Sequence, residues 1–181
     1  MFYECRFGMI GNPMEVTGAA YLYTIAAIGI TFIGFSAIVM MLRQTSGQPL
    51  ERFDILIAHV YMEFGLIVSV GSLLPPLLSF WGMPPQMVWQ VSSALTGAVL
   101  LLFTLTYRPR RRKAIRERFP WYTKINIAFI TLIGLVFIGN ACAIVQEKMP
   151  AIYLSAITAF MTFAIASWLR ALSIIFAEKP R

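Results

Sequence analysis

The chain has 181 residues, of which 59% are hydrophobic and 13% charged, and its formal net charge is +7. Soluble domains carry about 25% charged residues, so this composition excludes an ordinary water-soluble protein. Several apolar stretches reach the ~20 residues that a helix needs to cross the hydrocarbon core of a bilayer. The sequence therefore predicts an all-α fold, a polytopic transmembrane helical bundle in which residues 1–181 form a single membrane domain.

Five spans are predicted in chain order, at about residues 20–42, 54–80, 87–107, 121–145 and 151–177. Two proline pairs, Pro75–Pro76 and Pro84–Pro85, interrupt regular helix near the second connection, because proline removes a backbone donor and restricts the residue before it. A short, stiff hairpin is therefore expected between the second and third spans. Near the end of the fourth span, Asn140 is expected to form a hydrogen bond to another helix.

The connection after the third span, residues 108–118, is strongly basic. Short loops rich in Lys and Arg stay on the cytoplasmic side of a membrane, which predicts an outside N-terminus and a cytoplasmic C-terminus. The loop is also a candidate contact for anionic lipid, whereas nucleic acid is not an expected partner of a charge concentrated in this way. The candidate lipid-contact residues are Arg108, Arg110, Arg111, Arg112, Lys113, Arg116 and Arg118.

The second span contains two ionisable residues within "HVYMEFG", residues 59–65. His59 and Glu63 share a helix face one turn apart, and Glu63 lies roughly 13 Å from the cytoplasmic end of its span at the helical rise. Arg170 of the fifth span lies roughly 10 Å from the same side. Because an unpaired charge is costly in hydrocarbon, we expect Glu63 to pair with Arg170 and His59 to join them as a third member of a polar intramembrane cluster.

Three roles are open for this cluster: a structural lock between helices, a proton or ion pathway, or a ligand site. A metal site is the weakest of these, since the chain has one histidine and lacks a credible ligand set. The stripe of Thr158, Thr162, Ala166 and Arg170 is expected to face the bundle interior. No catalytic motif is recognisable, so neither an enzyme nor a bound cofactor is predicted.

The segments "TFIGFSAIVMMLR", "ERFD" and "LLPPLL", together with the glutamate of the second span, resemble a pattern in uncharacterised small bacterial inner-membrane proteins. The resemblance covers about residues 20–80. It implies a location in the bacterial inner (cytoplasmic) membrane, and it implies no activity, cofactor or site residue.

Two functions are compatible with these features. The first is a non-catalytic structural or accessory subunit of a membrane protein complex, in contact with membrane lipids and with other membrane subunits. The second is a small oligomeric ion or proton channel or transporter that uses His59, Glu63 and Arg170. A homo-oligomer is the more plausible form of a channel, because five helices with few polar side chains enclose little hydrophilic surface. The sequence leaves open whether residues 1–13 belong to the mature chain and whether Cys5 pairs with Cys142.

Overall fold

The computed structural model describes residues 18–45, 52–114, 121–142, 144 and 146–176, and within these ranges it contains helices and connecting turns but no strand. Five α-helices are each long and apolar enough to cross a membrane. Their bounds are α1 Ala19–Thr45, α2 Arg52–Phe80, α3 Pro85–Ala114, α4 Trp121–Ala141 and α5 Met149–Phe176, with a 3₁₀ turn at Gln146–Lys148 before α5. The predicted all-α bundle of five helices that are long and apolar enough to cross a membrane is therefore confirmed.

Two helix ends differ from the sequence prediction by four residues or more. Helix α3 continues beyond Tyr107 to Ala114, so residues 108–114 of the expected basic loop are helical. Helix α4 ends at Ala141, short of the expected end near residue 145. Arginine and lysine are good helix formers, and a charged last turn extends a helix without any apolar signal in the sequence. Hydropathy alone therefore located the end of the apolar span rather than the end of the helix.

The helices form two antiparallel pairs, α1 with α2 and α3 with α4, that meet through α2 and α3. Helix α5 contacts all four of the others. The connection between α2 and α3 is a tight turn in which the Gly82 N–H donates to the Ser79 carbonyl over 2.9 Å. Gly82 has a φ of 73° there, a conformation that favours glycine.

Each antiparallel pair contains a glycine-mediated contact between backbones. A Cβ placed on Gly65 would lie 2.9 Å from the Gly29 carbonyl oxygen, and one placed on Gly29 would lie 3.0 Å from the Gly65 oxygen. In the second pair, a Cβ on Gly97 would lie 3.0 Å from the Gly134 oxygen. Small residues allow such close helix approach, which supplies packing where lipid provides little hydrophobic drive for helices to associate.

A layer of phenylalanine rings fills the middle of the bundle. Phe64 packs edge-on against Phe103, with ring centroids 5.0 Å apart, and against Phe160, with centroids 5.4 Å apart. Phe160 is fully buried, and Phe64 and Phe103 are buried as well. This aromatic layer, Phe64, Phe103 and Phe160, joins α2, α3 and α5 and leaves a continuous apolar core at mid-height.

The glycine contact between α1 and α2 can be tested with a matched pair of substitutions. Gly29→Ala should lower the thermal unfolding temperature in mild detergent, because its methyl group would press on the α2 backbone at a cost of about 1–3 kcal/mol. Gly34 lies on the same helix with open space around its Cα. Gly34→Ala should therefore leave the unfolding temperature unchanged or raise it slightly, and equal losses from the two variants would contradict the packing described here.

Candidate functional site

Positive charge is concentrated at one end of the bundle. The C-terminal ends of α1, α3 and α5 and the N-terminal ends of α2 and α4 lie together there, and we call this the basic end. Its described cationic residues are Arg43, Arg110, Arg111, Lys124 and Arg170. At the opposite end the described charges are Glu147 and Lys148. The helices thus bring to one end the positive charge that the sequence distributes over several segments.

Glu63 has a different partner from the one expected. Its Oε1 accepts a hydrogen bond from Arg110 Nη1 at 2.5 Å, and both side chains are partly exposed. In the described part of the structure, Glu63 and Arg170 do not form an ion pair. The difference arises from the length of α3. The sequence prediction ended this span at Tyr107 and so placed Arg110 in a loop, whereas the longer helix of the structure brings the Arg110 guanidinium beside α2.

The other two members of the expected cluster also have separate partners. The guanidinium carbon of Arg170 lies 6.0 Å from the centroid of the Trp121 ring and 5.6 Å from that of Tyr122. These are cation–π distances. His59 is exposed, and its Nδ1–H donates to the Ile55 carbonyl of the preceding turn over 2.8 Å. Among the described residues, His59, Glu63 and Arg170 therefore do not form one hydrogen-bonded cluster.

The polar stripe of α5 faces outward. On α5, the side chains of Tyr153, Ile157 and Phe160 are buried in the core. Thr162 and Ala166 are exposed. The expectation that this stripe faces the interior is therefore wrong, because the larger apolar side chains occupy the inward face. The outward face forms an open groove between α1 and α4, the α5 groove, lined by Ser155, Thr158, Ala159, Thr162 and Ala166 and bordered by Tyr21 and Phe129.

Arg111 is the most deeply placed described cation of the basic segment, with 7% of its surface exposed. Its Nη1 donates to Thr123 Oγ1 of α4 over 2.6 Å and lies 3.5 Å from the Tyr107 hydroxyl. Arg110 and Arg111 thus both contact protein groups. The remaining candidate lipid-contact side chains, those of Arg108, Arg112, Lys113, Arg116 and Arg118, lie outside the described part of the structure.

A cavity of about 350 Å³ opens at the basic end between α2, α3, α4 and α5. We call it the basic-end cavity. Its outer part is lined by Arg111, Tyr122, Thr123 and Arg170, and its inner part by aromatic and aliphatic residues that include Phe64, Phe103, Ile130 and Phe163. No pattern in the sequence indicates this cavity, and His59 is not among its lining residues. Arg170 lines this space, whereas Glu63 does not.

Near the other end, a buried tyrosine compensates for a proline. Pro75 has no N–H to offer the carbonyl of Gly71 one turn earlier. The Tyr153 hydroxyl donates to that carbonyl over 2.6 Å. Since this uses the only hydroxyl hydrogen of Tyr153, the Thr96 hydroxyl donates in turn to the Tyr153 oxygen, 3.1 Å away. The "PP" dipeptide signalled that a carbonyl would need a donor, but it did not identify Tyr153.

Asn140 also joins helices at this end. Its Nδ2 donates to Ser93 Oγ of α3 over 2.9 Å and to the Met149 carbonyl of α5 over 3.1 Å. The expected interhelical hydrogen bond is therefore confirmed. Together with Tyr153 and Thr96, these groups form a buried hydroxyl and amide cluster that lies on the far side of the aromatic layer from the basic-end cavity.

No family model, no characterised protein and no solved structure matches the chain.

The partner of Glu63 is testable by double-mutant cycles. Combining Glu63→Gln with Arg110→Met should show a coupling of about 0.5–3 kcal/mol in unfolding free energy, because contacting charged residues give non-additive losses. The matched cycle of Glu63→Gln with Arg170→Met should be additive. Thermal unfolding of the purified variants in one detergent measures both cycles, and a coupling confined to Arg170 would refute the observed pairing.

The role of Tyr153 can be tested through Pro75. Tyr153→Phe should reduce stability by about 1–3 kcal/mol, because it leaves the buried Gly71 carbonyl without a donor. In a Pro75→Ala background the backbone supplies the missing N–H, so the same substitution should cost less. Tyr23→Phe, the same chemical change at an exposed residue of α1, serves as control. Equal costs of Tyr153→Phe in the two backgrounds would show that its hydroxyl does not replace the missing backbone donor.

Proposed function

We propose that the protein is a non-catalytic accessory subunit of a membrane protein complex. The observation that carries this proposal is the aromatic layer, which separates the basic-end cavity from the buried hydroxyl and amide cluster. A conducting protein needs a hydrated path from one side to the other. Three buried phenylalanine rings at mid-height favour a bundle that is dry inside, as an accessory subunit can be.

The separate positions of the ionisable groups support the same choice. Proton transfer along a pathway needs donors and acceptors within hydrogen-bond reach of one another. Glu63 is engaged by Arg110, and His59 by the backbone of its own helix. Both groups therefore serve local contacts more readily than a relay through the bundle.

The α5 groove offers a place for a partner. Helices α1 and α4 flank α5, and their described residues make no substantial contact with each other. The groove between them is therefore open to the lipid. Its floor consists of serine, threonine and alanine side chains, the residue types that let a transmembrane helix approach closely. We propose that the occupant is a transmembrane helix of a different protein.

Location and orientation complete the proposal. Five helices are apolar enough to cross a membrane, and the positive charge lies at one end of the bundle. We propose that this end is cytoplasmic and that the membrane is the bacterial inner membrane, because Lys and Arg are retained on the cytoplasmic side. The basic segment after α3 would then lie beside anionic lipid headgroups.

The accessory role predicts a mutation-sensitive association. The tagged wild-type chain, extracted in mild detergent, should migrate with larger foreign subunits in native mass measurements. Ala159→Leu should abolish that association, because the added side chain fills the α5 groove. Ala98 on α3 is likewise an exposed alanine, and Ala98→Leu should leave the association intact.

Three outcomes would contradict the proposal. They are a wild-type chain that purifies alone, one that purifies as a ring of its own copies, and equal behaviour of the two leucine variants. Proteoliposomes provide an independent test: the wild-type protein should dissipate a pH gradient no faster than protein-free liposomes. Flux that is lost in a stable Glu63→Gln variant would support the channel instead.

A further inference from the structure

We propose that the basic-end cavity binds a single-chain amphiphile with an oxyanion head group. The hydrocarbon chain would lie between the aromatic side chains of the inner part, and the oxyanion would lie at the outer part near Arg111 and Arg170. This proposal is independent of the accessory role, because it concerns the interior of the bundle rather than its outer groove.

The size of the cavity limits the ligand to one chain. Its volume is about 350 Å³, near the lower end of the ~300–1,000 Å³ usual for small-molecule sites. At roughly 30 Å³ for each water-sized group, this space holds about a dozen such groups. A chain of about twelve carbons fits, whereas a two-chain phospholipid is several times larger.

The inner part of the cavity suits a hydrocarbon chain. Phe64, Phe103 and Phe163 supply three aromatic rings, and Ile130 adds an aliphatic side chain. From Arg111 to Phe103 along α3, eight residues of helix correspond to a depth of roughly 12 Å. A chain inserted to this depth would end at the aromatic layer, and contact with these side chains favours an apolar ligand over water.

The outer part of the cavity suits an anion. Arg111 is buried and Arg170 approaches from α5, and the described lining contains no carboxylate. The described partners of the Arg170 guanidinium are the aromatic rings of Trp121 and Tyr122, which leaves its N–H groups able to donate to a ligand. The Tyr122 and Thr123 hydroxyls add polar groups at the same level. Arginine binds carboxylates and phosphates through such charge-assisted hydrogen bonds.

The division between the two parts selects the ligand class. A free inorganic anion would use the positive charge of the outer part but would leave the apolar inner part empty. A neutral hydrocarbon would fill the inner part but would bring no negative charge to the arginines. A carboxylate or phosphate on one hydrocarbon chain suits both parts, and the two head groups share the chemistry that arginine recognises.

Equilibrium binding of radiolabelled dodecanoate tests the proposal. The full-length protein is placed in nanodiscs of zwitterionic phosphatidylcholine at pH 8.5, and partition into protein-free nanodiscs is subtracted. We expect saturable binding of one dodecanoate per protein. Unlabelled dodecyl phosphate should displace it, whereas dodecanol and inorganic phosphate at the same concentration should not. The stronger competitor of unlabelled dodecanoate and dodecyl phosphate then identifies the preferred head group.

Matched variants locate the site. Arg170→Met should weaken dodecanoate binding about tenfold, the effect of losing one hydrogen bond to a charged group. Arg170 is exposed, so the protein should tolerate this substitution. Lys124→Met removes an exposed cation at the same end that does not line the cavity, and it should leave the affinity unchanged. Val60→Trp fills the cavity from α2 and should abolish binding.

Several results would overturn the proposal. Non-saturable uptake would mean that no site exists, and displacement by dodecanol as effective as that by dodecyl phosphate would remove the role of the oxyanion. Equal affinities of the Arg170→Met and Lys124→Met variants for dodecanoate would show that its head group does not bind at the outer part of the cavity. Unfolding temperatures measured for each variant show whether a loss of binding arises from a loss of folding, and wild-type stability combined with unaltered binding in Val60→Trp would place the ligand elsewhere.

Discussion

Backbone polar groups inside a hydrocarbon layer must find partners within the protein, because no water is there to replace them. Pro75 breaks this rule locally by removing a donor from α2, and the buried hydroxyl of Tyr153 restores it. That single bond links α2 to α5, and Thr96 extends it to α3. The missing donor in one helix is thereby supplied by hydrogen bonds that join three helices.

Close packing complements this junction. Gly29 and Gly65 bring α1 against α2, and Gly97 and Gly134 bring α3 against α4. Such contacts gain dispersion energy that bulkier residues would prevent. Helix α5 then joins the two pairs through large apolar side chains. The same choice of inward face leaves its small residues on the outside, where they form the α5 groove.

The two polar regions of the bundle have different characters. The buried hydroxyl and amide cluster uses neutral groups whose donors bond to hydroxyl oxygens and to backbone carbonyls. Among the described residues, its Asn140 Oδ1 is buried without a hydrogen-bond partner. The basic end uses arginines, each of which carries a permanent positive charge and five N–H donors. The basic-end cavity is lined by Arg111 and Arg170 and by no described carboxylate, and for this reason we propose it, rather than the opposite cluster, as a binding site.

Length and hydropathy of the sequence determined the number of helices, their approximate bounds and the accumulation of cations at alternate connections, since each is a local property. Which face of each helix points inward was decided by the tertiary structure, because helices that are apolar all round carry no periodic signal. The partner of Glu63 depended on where α3 ends and how far it is offset along α2, and counting residues from the span ends could not supply that offset. The donor for the Gly71 carbonyl came from Tyr153, 82 residues away. A proline in the sequence indicates that a backbone N–H donor is missing. Only the rotation and depth of the neighbouring helices determine which side chain replaces that donor.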